Sequence, residues 1–186
     1  MKKAVFFAIG TMAIALIACQ NGKQPSSSPT MEIETQHQEV EQPDSTIYGR
    51  CGENFGMSTL ELITDNGDTL MFVVEDDSIQ TIKGGKHVGD RMAIVADKND
   101  MGEYVVKTGV NLTTILGKWT ALDKTFEIHE GGVVTSQFQE PKPYTEWKIC
   151  NGALVLSADT FSVYELGADS LLLENDKGIY SYKRQK

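Results

Sequence analysis

The sequence predicts an all-β protein built from two small antiparallel barrels. Two observations carry that expectation. From Thr46 onward apolar residues alternate with polar ones at the period of half-buried strands. Turn signals such as Asp65-Asn66-Gly67, Asn151-Gly152 and Asn175-Asp176-Lys177-Gly178 recur at short spacing. Between the two strand-rich halves lies Leu112-Thr-Thr-Ile-Leu116, read as a single helical turn, followed by Gly117-Lys118-Trp119.

The chain opens with an export pattern. Lys2 and Lys3 form a basic start, and Ala4 to Ala18 carry no charge. That apolar run is shorter than the roughly 20 residues a spanning helix needs. It ends in Leu16-Ile17-Ala18-Cys19, which resembles the lipobox of bacterial lipoproteins. The resemblance implies removal of residues 1–18 and acyl chains on Cys19, which becomes the lipid attachment site. Two or more chains anchor a protein stably. Gln20 stands where an inner-membrane retention signal would place Asp, so the resemblance implies the outer membrane. Asn21-Gly22-Lys23-Gln24 lacks the acidic residues of surface-exported lipoproteins, which points to the periplasmic face. The competing reading is an ordinary signal peptide in which Cys19 is incidental.

Residues 19–45 read as the lipidated Cys and a disordered tether, polar and proline-bearing, with too little apolar surface to offset the entropy of ordering. His37 within it is read as solvated. The net charge of −9 becomes more negative once Lys2 and Lys3 are cut away. An acidic body is a poor partner for nucleic acid, so none is expected.

Residues 46–111 are read as the first barrel. The expected strands are Ile47-Tyr48-Gly49, Ser58–Thr64, Thr69–Val74, Asp90–Ala96 and Gly102–Thr108. Five strands in so short a span resemble an OB-type or SH3-like barrel. Lys83-Gly84-Gly85-Lys86-His87 looks like a phosphate loop but lacks the Walker spacing and a following helix, so a turn is expected.

Residues 112–186 are read as the second barrel. Its eight strands are Lys118–Leu122, Thr125–His129, Val133–Gln137, Tyr144–Ile149, Ala153–Ser157, Phe161–Leu166, Leu171–Glu174 and Ile179–Lys183. Short antiparallel strands with tight turns describe a meander that closes on itself. With Gly117-x-Trp119 on its first strand and Trp147 in a central one, this half resembles the lipocalin (calycin) barrel, in the short form found in Bacteroidetes lipoproteins. That resemblance implies a basic residue from the last strand, Lys183 or Arg184, packed across Trp119. It departs from the family in being shorter and in lacking the C-terminal helix. Trp119, Phe126, Phe138, Trp147, Phe161 and Tyr164 are the candidate ligand-lining residues, read as core first, since large aromatics ordinarily supply burial.

Cys51 and Cys150 have two readings, a disulfide permitted by an oxidising compartment or two independent thiols, and the second is preferred. No nucleophile elbow, HExxH, Cys-x-x-Cys or Walker motif is present. His87 and His129 are isolated. No catalytic residue, metal or cofactor is assigned, and no enzymatic activity is expected. The functional expectation is a membrane-anchored, non-catalytic binding or accessory module of the cell envelope that takes a small apolar ligand. The alternative is a protein-interaction or envelope-structural module with a filled barrel.

Overall fold

A computed structural model describes residues 43–75, 81–136 and 142–186. The expectations placed on residues 1–42, Cys19 included, and on Phe138 lie outside the described residues.

The described residues are all-β apart from two short helical turns. In the first half, β1 (Ile47–Cys51) pairs antiparallel with β2 (Thr59–Thr64) on one side and β5 (Arg91–Lys98) on the other. The Asp65–Asp68 turn returns β2 into β3 (Thr69–Val73), and β5 pairs with β6 (Tyr104–Asn111). Parallel pairing of Phe72 with Tyr104 and of Val73 with Val105 joins β3 to β6 and closes a five-stranded barrel. This Greek-key closure, β1-β2-β3-β6-β5, is of the OB type. A two-residue strand that the alternation does not announce, β4 (Ile82–Lys83), extends the sheet beside β6. Leu60 and Leu62 point inward while Thr59, Glu61 and Ile63 point out, and Phe72, Met92, Ile94 and Val106 complete the core.

Asn111 ends β6 and caps the helical turn α1 (Leu112–Ile115), its side-chain oxygen accepting from the Thr114 N–H. Eight strands follow: β7 (Gly117–Thr120), β8 (Thr125–Ile128), β9 (Val134–Ser136), β10 (Trp147–Cys150), β11 (Ala153–Leu156), β12 (Asp159–Leu166), β13 (Ser170–Asn175) and β14 (Gly178–Arg184). Each pairs antiparallel with its neighbour, and β14 returns to β7. Between β9 and β10 the ladder thins to one bridge, Val133 with Glu146, and a Val134 N–H bond to the Thr145 carbonyl. The second barrel is therefore nearly closed.

The two barrels share apolar surface. Ala93 of β5 and Val110 of β6 are buried in the second barrel's core cluster, and Tyr48 of β1 packs against it. The hydroxyl of Tyr48 donates to the Ile149 carbonyl at 2.5 Å. At the β10–β11 turn, Gly152 lies so close to Thr108 of β6 that a Cβ there would sit 2.2 Å from the threonine methyl. Residues 43–45, the end of the stretch read as tether, hydrogen-bond to the same turn. Asn151 accepts from the Ser45 N–H at 2.8 Å and donates its own N–H to Thr46 Oγ1 at 2.9 Å.

Candidate functional site

The proposed lining residues separate into three groups. Trp119, Phe126 and Phe161 form the middle of the second barrel, with 0%, 0% and 2% of their surfaces exposed. Tyr182 and Tyr144 meet Phe126 edge to face, with ring centroids 5.0 and 5.5 Å away, and Phe161 meets Tyr144 and Tyr180 in the same way. Ile115, Leu154, Leu156, Leu171 and Leu173 pack around these rings without exposure. The interior is occupied by its own side chains. Tyr144 and Tyr182 escaped the sequence reading; the alternation Tyr180-Ser181-Tyr182 already placed both tyrosines on one face of β14.

Tyr164 is a correction. It is 61% exposed on the outside of β12. Phe161 and Val163 point inward, so a residue one position beyond Val163 points outward. A register shift between Val163 and Glu165 then brings Leu166, rather than Glu165, back to the inside. Trp147 belongs to neither group. It is half-buried, and its indole N–H donates to the His129 carbonyl at 2.7 Å.

Trp147 forms one wall of a half-open cavity of about 480 Å³ in the seam between the barrels. Tyr48, Arg50 and Arg91, on the outer face of β1 and β5, form the opposite wall. Leu112 of α1 and Leu116 just after it lie between the walls, and Lys148, Ile149 and the Glu130-Gly131-Gly132 turn complete the lining. This size lies within the ordinary range of small-ligand pockets, about 300–1,000 Å³.

The hydrogen bonds around the cleft fix its walls. Arg91 forks onto Asp65, and that hydrogen bond holds the Asp65 carboxyl below its usual range. The Arg91 backbone N–H donates to Thr113 Oγ1 at 2.9 Å, tying β5 to α1. Burial pushes the Tyr48 phenol up, keeping it a neutral donor to Ile149. Behind α1, Asn111 is fully buried and its amide nitrogen donates to Asp90 at 2.6 Å and to the Gly85 carbonyl at 3.1 Å. Thr114 Oγ1 donates to the Gly84 carbonyl at 2.9 Å. The Gly84-Gly85 segment thus presents carbonyls to its surroundings here, the opposite of a phosphate cradle.

Arg50 and Lys148 are left with little internal engagement. Arg50 Nη1 donates to the Gly89 carbonyl at 3.0 Å, and Lys148 is exposed with no ion pair among the described residues. Elsewhere, His87 contacts Asp90, and His129 contacts Thr135 at 2.9 Å. Among the described residues no group of three or more His, Cys, Asp or Glu side chains could hold a metal ion. Cys51 is buried, Cys150 is half-buried, and the two are unpaired. Burial pushes the Cys51 thiol up, which makes it a poor nucleophile.

No protein-family model, curated protein or solved structure matches the chain.

Proposed function

We propose that the chain is a lipid-anchored, non-catalytic binding module of the bacterial cell envelope that holds its ligand between its two barrels. On this reading Cys19 carries the anchor, and the body faces the periplasm from the outer membrane. The observation that carries the site is the contrast between the two concave spaces of the fold. Rings from Trp119 to Tyr182 occupy the barrel interior, whereas the seam leaves a cavity with both apolar and charged lining. A small set of polar groups above an apolar floor, at a junction between structural units, is the usual anatomy of a ligand site.

The test combines fractionation with native mass spectrometry of the mature protein, extracted from its own membranes in a non-ionic detergent. Cys19→Ser should move the protein from the membrane pellet to the soluble fraction. The lipidated protein should carry an additional small mass that is lost in Trp147→Ala. A bound mass indifferent to Trp147→Ala would overturn the cleft. No bound mass at all would favour the filled-barrel alternative, a protein-interaction module. For that reading, Ile63 and Met71 supply neighbouring exposed apolar side chains on the outer face of β2 and β3.

A further inference from the structure

The cleft carries a charge opposite to that of the chain around it. Three cations, Arg50, Arg91 and Lys148, and one carboxylate, Glu130, line it, within a protein of net charge −9. Arg50 and Arg91 stand directly opposite each other across the β1–β5 ladder. Like charges in that position repel. Both oxygens of Asp65 bond Arg91, and Arg50 feels that carboxylate only as a nearby charge. Arg50 has one bond to a backbone carbonyl and no hydrogen-bonded carboxylate among the described residues. Lys148 lines the same space from the second barrel and has no ion pair among the described residues.

We propose that this cleft binds a small organic monoanion, with a carboxylate held between Arg50 and Lys148 and an apolar, preferably aromatic, body against Trp147 and Leu116. The proposal rests on the cleft being the binding site. The apolar lining disfavours a bare inorganic anion, which would gain nothing from Trp147, Leu112 and Leu116. Glu130 disfavours a second negative charge on the ligand. Arg50 offers a planar fork suited to a carboxylate, and Lys148 adds a mobile ammonium from the facing wall.

The two tryptophans of the chain provide the readout. Each has one indole N–H signal: Trp147 lies in the cleft, while Trp119 is buried and donates to the Ile115 carbonyl at 2.8 Å. The intact nitrogen-15-labelled protein is titrated with phenylacetate and, separately, with its neutral isostere phenylacetamide. Phenylacetate should move the Trp147 signal saturably and leave Trp119 in place. It should bind at least about tenfold more tightly than the amide, the size of one charge-assisted contact. The double variant Arg50→Gln, Lys148→Gln should remove that preference while the amide still moves Trp147. An unchanged Trp119 signal in the variant shows that it folds. Equal binding of acid and amide by the unsubstituted protein would overturn the anion proposal and leave the cleft standing as the site. If neither compound moves Trp147, the proposal and the cleft reading fall together.

Discussion

Arg184 sits over Trp119, its guanidinium carbon 4.2 Å from the ring centroid, and its fork is spent on backbone. Nη1 donates to the Leu116 carbonyl at 2.5 Å, Nη2 to Thr114 at 2.5 Å, and Nε to Ala168. One side chain therefore ties β14, the end of α1 and the β12–β13 turn to the central tryptophan. It also explains Gly117. The backbone there has φ +118°, and a Cβ would sit 2.6 Å from Arg184 Nη1, so only glycine admits both the turn and the arginine. Strand register made the choice between Lys183 and Arg184, since Arg184 is the residue paired with Trp119. Arg184→Ala is expected to lower stability by about 2–4 kcal/mol in urea denaturation, through lost cation–π contact and carbonyls left short of a donor. Arg184→Lys should recover little of that, because one ammonium cannot span three carbonyls in a plane. A lysine variant as stable as the unsubstituted protein would refute this account.

The β10–β11 hairpin is the element through which the second barrel grips the first. Gly152, at φ +81°, turns the hairpin and packs on Thr108. Gly152→Ala adds a methyl both to a left-handed backbone and to a filled contact, and should cost about 2–4 kcal/mol in thermal or urea unfolding. Thr108→Ala in the same chain should recover the contact part of that cost and leave the backbone part. No recovery would mean the contact does not govern this position. The strands themselves were largely legible in the sequence, because one-sided burial writes a period of two and the turns carry Asn, Asp and Gly. Ile82–Lys83 was not, since two residues show no period. Ring size points Tyr164 inward, whereas its parity with Phe161 puts it outside. The cleft was illegible for a different reason. Its walls come from residues 48–50, 89–91, 112–116, 130–132 and 147–149, and no one of these segments looks unusual alone. Only the β1–β5 register sets Arg50 against Arg91, and register between distant strands is decided by the closed barrel.

Taken whole, the two barrels form one compact unit, because their described residues share a buried core and the Asn111 network. A single cooperative unfolding transition is therefore expected in calorimetry of the protein. Asn111→Ala removes the amide donor to Asp90 and to the Gly85 carbonyl, leaving Asp90 with its His87 contacts and Gly84 with Thr114, at about 1–3 kcal/mol for a buried polar group left short of a partner. It should broaden or split that transition. Two separate transitions in the unsubstituted protein would show that the seam does not couple the barrels. The contacts of Pro43–Thr46 with Asn151 have a mechanical consequence as well. Tension arriving along the chain from upstream meets those bonds before it reaches β1. Ser45 and Thr46 grip Asn151 from both sides, and the Asn151 amide holds the Pro43 carbonyl at 3.3 Å. The arrangement works like the clamp on a cable where it enters a housing. A pull from upstream loads the hairpin of the far barrel, while Tyr48 and Arg50, just beyond the clamp, keep their positions.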